Sequence, residues 1–154
     1  MTHSTDQAPK ASSSGEASPQ ARRDESRLKA SEKEIISLFD RWNRALQSGD
    51  PHRVVATYAE RSILLPTMSG DLRLTREEKL EYFRGIMKYQ PSGEVGLRQV
   101  TIGSGMAVDT GHYTFRFAAT GRVVRARYSF TYQWNGEEWL IVSHHSSVLP
   151  DNNG

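Results

Sequence analysis

The residues best able to do chemistry in this chain are His144, His145, Asp109 and a set of tyrosines. An imidazole titrates near neutral pH and can serve as a general base or a ligand contact. Neighbours on a strand point to opposite faces, so His144 and His145 cannot jointly hold one metal without distorting the strand. By parity with Leu140 and Val142, His144 is expected to face inward and His145 outward. Asp109 shares the inward parity of Tyr113. A carboxylate in an aromatic cavity has its pKa raised by desolvation, and Asp109 with His144 would then form an acid–base pair. The plainer readings are a hydrogen-bonded histidine at a subunit interface and an aspartate that satisfies a turn. Trp42, Tyr58, Tyr82, Tyr113 and Tyr128 are candidates to line a pocket with these two. Each tyrosine offers an apolar body and one polar handle, although aromatics at such spacings are more often simply core. Arg125 and Arg127 share the opposite sheet face with Ser129 and Thr131. Arginine can clamp a carboxylate, but it is also enriched at interfaces. A self-association surface of Met106, Arg125, Arg127, Trp139, Ile141 and His145 is the preferred reading.

Other chemistries are missing from the pattern. The chain has no cysteine, so disulfides, thiolate metal sites and a cysteine nucleophile are excluded. Its histidines are His3, His52, His112, His144 and His145, and none makes an H-x-x-x-H or H-E-x-x-H pattern. There is no P-loop and no G-x-S-x-G elbow, and Gly103-Ser104-Gly105 reads as a hairpin turn. No metal and no cofactor is expected. The 154 residues carry 20 basic and 18 acidic side chains, a net charge of +2. That near balance lacks the basic stripe of a nucleic-acid binder. Mean hydropathy is -0.63, and no apolar run has the ~18–20 residues of a membrane span. The N-terminus has no signal-peptide pattern, so a cytoplasmic protein is the expectation, with no nucleic-acid or membrane partner.

The elements that must position these groups are readable. Residues 1–30 contain no aromatic, valine or isoleucine and read as a disordered tail. The fold is expected over residues 31–150, with 151–154 as a C-terminal tail. Ser31 and Glu34 fit a capping box, and Ile35, Leu38, Phe39, Trp42, Ala45 and Leu46 recur on one helical face. Asp50-Pro51 starts a second, short helix, with Val54, Val55 and Tyr58 on its buried side. Ser62 to Pro66 is a short buried strand, and a brief strand is expected after Gly70-Asp71. Thr75 and Glu78 cap a third helix, with Leu80, Phe83, Ile86 and Met87 on one side. Its interior Gly85 costs roughly 1 kcal/mol relative to alanine, and close packing would explain it. From Glu94 the period becomes two, giving four long antiparallel strands. Asn135-Gly136 signals a type I′ hairpin. Helices on one face of an antiparallel sheet make an α+β domain.

Three strings carry a resemblance. They are Ile63-Leu64-Leu65-Pro66-Thr67, Gly111-His112-Tyr113-Thr114-Phe115, and the run from Trp139 through Leu140, Ile141, Val142, Ser143, His144, His145, Ser146, Ser147, Val148 and Leu149 to Pro150. Together they resemble bacterial relatives of the association (hub) domain of calcium/calmodulin-dependent protein kinase type II, within the nuclear transport factor two / SnoaL-like superfamily. The resemblance spans residues 31–150. It implies a cone-shaped barrel of a curved antiparallel sheet closed by three N-terminal helices, of cystatin-like type, that self-associates through its sheet. It also implies an inner pocket, which in the kinase is lined by arginines. Here Tyr113, Phe130 and Ser146 stand at those places, so the pocket suits a partly apolar ligand better than a carboxylate. The chain lacks every kinase catalytic motif, and no basic amphipathic helix suggests calmodulin binding.

The expected function is therefore a non-catalytic, self-associating domain, dimeric or larger, with an internal pocket for a small, partly apolar ligand. One alternative is a SnoaL-like cofactor-free isomerase, cyclase or hydrolase using Asp109 and His144. Another is an assembly hub whose pocket is vestigial.

Overall fold

The computed structural model describes residues 30–151 together with Gly15, Ser18 and Pro19. Most of the expected 1–30 and 151–154 tails lie outside the described residues. Helix α1 spans Glu32–Gln47, α2 Pro51–Val55 and α3 Arg76–Met87. The strands are β1 Tyr58–Leu65, β2 Pro91–Ile102, β3 Met106–Phe117, β4 Arg122–Trp134 and β5 Trp139–Val148.

Local chemistry sets the helix starts. The Ser31 hydroxyl accepts from the Glu34 amide at 3.1 Å. The Thr75–Glu78 box is complete, with bonds of 3.1 and 3.0 Å in the two directions. Asp50 caps α2 by accepting from the His52 amide at 3.0 Å. Such caps contribute about 1 kcal/mol each. Gly49 then supplies the left-handed residue (φ 77°) that ends α1.

One curved sheet runs in the order β1-β5-β4-β3-β2. β2 to β5 form the expected antiparallel meander. β1 is longer than expected and pairs with β5 in parallel. Tyr58 therefore opens a strand, not the buried side of α2. The brief strand after Gly70-Asp71 reduces to one bridge, Leu64 to Arg73. The Asn135-Gly136 turn is also not type I′. Only Gly136 takes a positive φ, and four residues separate the paired Trp134 and Trp139. The Asn135 side chain closes this loop by accepting from the amides of Glu137 and Glu138, both at 2.9 Å.

The helices cover the concave face of the sheet. Ile35, Phe39, Trp42 and Leu46 of α1 and Leu80 and Phe83 of α3 are buried against it. Asn43 fastens α1 to the edge strand β2: it donates to the Gly93 carbonyl at 2.8 Å and accepts from the Gly93 amide at 2.9 Å. Lys79 fastens α3 to β1, donating to the Ser62 and Leu74 carbonyls at 3.1 and 2.7 Å. Burial holds that ammonium below its ordinary pKa.

Two bulges set which side chains face inward. Opposite β4, β5 carries one extra residue, Val142: Thr131 pairs with Ser143 but Tyr132 with Ile141. Trp139 and Ile141 therefore face inward before the bulge, and His144 and Ser146 after it. On β2, Gly96 and Leu97 together oppose His112. A Cβ at Gly111 would lie 1.8 Å from the Leu97 carbonyl oxygen. Only glycine tolerates that approach, and past the bulge Arg98 stands directly across from Gly111.

Candidate functional site

His144 is buried and both of its ring nitrogens are engaged. Nδ1 lies 2.8 Å from the Tyr58 hydroxyl, and Nε2 lies 3.2 Å from that of Tyr113. The Trp42 indole donates to the Tyr58 oxygen at 3.1 Å. Tyr58 thus keeps its own proton to give to Nδ1. Tyr113 donates to Ser146, which bonds Thr67. The Tyr113 oxygen is then the acceptor for Nε2–H. The chain of donors runs one way and fixes a neutral imidazole protonated at Nε2. The Phe130 ring stacks on the imidazole at 3.9 Å, and Trp42 meets it edge-on at 5.5 Å. Burial, and next the charge of His145, pushes the His144 pKa down to about 3. Burial likewise raises the Tyr58 and Tyr113 hydroxyls. His144 points inward as the sequence suggests, but it is not a base poised near neutrality.

Asp109 belongs to a second cluster. It is fully buried, not exposed at a turn. Arg98 grips both of its oxygens, at 3.3 and 3.1 Å, and the Tyr128 hydroxyl donates to it at 2.9 Å. The Arg98 guanidinium is itself mostly covered and lies 5.9 Å over the Phe39 ring. Burial disfavours its charge, but the Asp109 carboxylate outweighs this and holds its pKa above the usual value. Burial, and then Asp109, raises Tyr128.

Asp109 and His144 do not form an acid–base pair. Both sit opposite Phe130, one on each side of it. They are therefore two strand spacings apart, on the order of 10 Å, with the Phe130 ring stacked on the histidine. The groups that engage them are all accounted for within the chain.

The concave face holds an inner cavity of about 30 Å³. That is room for roughly one or two water molecules. Of the expected lining, Trp42, Tyr82, Tyr113 and His144 reach it, whereas Tyr58, Asp109 and Tyr128 stand outside. The interior expected to hold a small organic ligand is filled by its own aromatics. A larger cleft, about 580 Å³, opens at the mouth, and Met68, Tyr82, Ile86 and Phe117 border both spaces.

On the outer face the expected residues divide. Arg125, Arg127 and His145 are exposed, and Met106 is 39% exposed. Trp139 and Ile141 are instead 3% and 1% exposed, buried inside their own chain by the β5 bulge. They cannot form a self-association surface.

Arg98 was the main omission of the sequence reading. Gly111 was the available signal, because a glycine inside a strand marks a bulge or a close backbone approach. Among the described residues, no group of three or more His, Asp or Glu could hold a metal ion. No helix among them is long and apolar enough to cross a membrane.

Comparison with known proteins agrees with this architecture. The family model of the calcium/calmodulin dependent protein kinase II association domain matches residues 31–150. The chain belongs to this family. A protein from Xanthomonas campestris, provisionally named as such an association domain, is 37% identical, with a TM-score of 0.73 over 98% of this chain and 99% of its own. An NTF2-like protein of unknown function from Pseudomonas putida KT2440 is 17% identical, with a TM-score of 0.68 over 79% and 89%. An NTF2-like protein with a cystatin-like fold from Novosphingobium aromaticivorans is 16% identical, with a TM-score of 0.65 over 79% and 83%. The last two show the fold alone. No curated protein matches.

Proposed function

We propose that this association domain is a non-catalytic, self-associating unit, dimeric or larger, that uses the outer face of its sheet. The observation that carries the reading is the contrast in partnering across the sheet. The inward His144 and Asp109 are bonded within the chain. Outward, Arg116, Arg125 and Arg127 are exposed and make no ion pair among the described residues. Toward the other end of the same strands, the face carries Met106, Val108 and Leu140. Arginine and methionine are enriched at interfaces. The spread of hydroxyls beside them, including the Thr110–Ser129 pair at 3.0 Å, supplies further donors and acceptors.

The interior supports a packed scaffold, with the inner cavity too small for an organic ligand. Sedimentation equilibrium tests the reading. A mass of at least twice 17.4 kDa is expected at micromolar concentration. A 17.4 kDa monomer would overturn it. Met106→Glu is expected to dissociate the assembly while leaving the fold intact, since the side chain is partly exposed.

A further inference from the structure

The convex face carries two histidines as well as its arginines, and they bear on the self-association proposed above, on which this inference rests. His112 and His145 are both exposed there. The register sets them on either side of one arginine. His112 pairs directly with Arg127 across the β3–β4 ladder. His145 pairs with Ser129, the next outward residue after Arg127 on β4. Direct and diagonal neighbours on one face of a sheet are within reach of aromatic and long side chains.

The remaining charges around them follow from the same ladders. On β2, Gly96 and Leu97 oppose His112, and Glu94 pairs with Thr114, whose other neighbour is Arg125. Arg116 is the next outward residue on β3. On β1, Leu65 pairs with His145, while Glu60 and Arg61 precede the paired run. Behind the sheet, the buried His144 feels the charge of His145. Three arginines against one glutamate give this part of β2 to β5 a charge of +2 with neutral imidazoles, and +4 with both protonated.

Hydrogen bonding changes with the same two protons. Arginine has donors and no acceptor, a neutral imidazole has one acceptor nitrogen, and imidazolium has none. When this face meets a second copy, each needs acceptors for the arginines of the other. Neutral His112 and His145 supply two of them. Protonated, they become further donors and further charges of the same sign. A two-fold contact uses the same patch on both copies, so the excess is doubled.

We propose that His112 and His145 make self-association proton-dependent: copies assemble through the convex face at neutral pH and separate as these two imidazoles are protonated. An imidazole titrates near pH 6.5, so the change falls between about pH 7.5 and 5.5, above the range of carboxylates. Linkage sets the direction, because a chain that holds more protons alone than in the assembly is driven apart as the pH falls.

The test is sedimentation equilibrium of the full chain at pH 7.5 and 5.5, with circular dichroism to follow the fold. The dissociation constant is expected to rise about tenfold or more at pH 5.5. The double variant His112→Gln, His145→Gln keeps an acceptor at both places and cannot take up the charge. It should assemble like the parent at pH 7.5 and lose most of the pH dependence. Gly85→Ala separates surface charge from acid unfolding. A Cβ at Gly85 meets nothing within 4 Å, so close packing does not account for this glycine, and alanine should stabilise α3. Its assembly should keep the parental pH profile. A profile displaced to lower pH would mean that unfolding drives the dissociation, and the proposal is then overturned. It is also overturned if the parent's dissociation constant holds or falls at pH 5.5, or if the double variant separates as the parent does. A 17.4 kDa monomer at both pH values overturns the self-association reading and this proposal together. An assembly indifferent to pH overturns this proposal alone.

Discussion

The two faces of this sheet treat polar groups in opposite ways. On the concave face, His144 has partners for both nitrogens, and Asp109 has donors on both oxygens. On the convex face, Arg116, Arg125 and Arg127 stand on the same strands, β3 and β4, with no ion pair among the described residues. A buried polar group left unbonded is costly, whereas an exposed cation keeps its water. His144 and Asp109 are therefore committed to specifying the fold. The outer set remains free to meet something else. His144 and Asp109, residues of catalytic type, are held by bonds within the chain, and the surface proposed for self-association lies outside.

Breaking the inner commitment should have the largest effects. Gly111→Ala would put a Cβ 1.8 Å from the Leu97 carbonyl oxygen. The backbone of β2 or β3 must move, which undoes the bulge that presents Arg98 to Asp109. A loss of about 4 kcal/mol or more is expected in urea unfolding, or no soluble protein at all. Asp109→Ala comes next. It leaves the mostly buried Arg98 cation without its carboxylate, at a cost of about 3–5 kcal/mol. Near-parental stability of Asp109→Ala would mean that the pair is not what the inner face depends on.

The same inner residues show how far the sequence can be read. The helix caps, the apolar stripes and the long meander follow from local rules, because each is decided within a few residues. His144 faces inward as parity with Leu140 and Val142 suggests, yet that parity breaks at the bulge: Val142 is itself the extra residue in β5, and Leu140 lies before it. The same bulge turned Trp139 and Ile141 from expected surface into core. Strict alternation cannot see an inserted residue, since it is signalled only by the partner strand. Arg98 was missed for a related reason: its inward turn depends on a bulge accommodated by Gly111, on another strand. The parallel pairing of β1 with β5 joins distant residues such as Tyr58 and Ile141, and local pattern does not encode it. The interior volume was equally illegible, because it depends on how the aromatics interdigitate.

A middle-sized effect should come from acid. His144 has a folded pKa near 3 against an ordinary 6.5. Below 6.5 the unfolded chain takes up a proton that the folded chain refuses. Its contribution to stability is thus complete above pH 6.5 and is lost progressively as the pH falls toward 3. The slope is up to about 1.4 kcal/mol per pH unit. Denaturant midpoints measured from pH 8 to pH 4 should show this decline. His144→Gln should start about 1–3 kcal/mol less stable at pH 8, because it disrupts the bonds to Tyr58 and Tyr113. Its profile should then be flatter below pH 6.5. An unchanged slope would show that another group governs the acid sensitivity.

The smallest effect on stability is expected on the convex face, and it is the most informative about function. Arg127 is exposed, faces outward and is paired across the ladder with His112 and Ser147. Arg127→Glu removes no ion pair present among the described residues, so the unfolding free energy of the dissociated chain should change by no more than about 0.5 kcal/mol. The assembly should respond differently, because a reversed charge at the centre of an interface acts on every copy at once. Sedimentation should show a shift toward the 17.4 kDa species. If the mass holds while stability falls, Arg127 serves the fold, and the division of labour between the two faces fails at the residue where it is drawn most sharply.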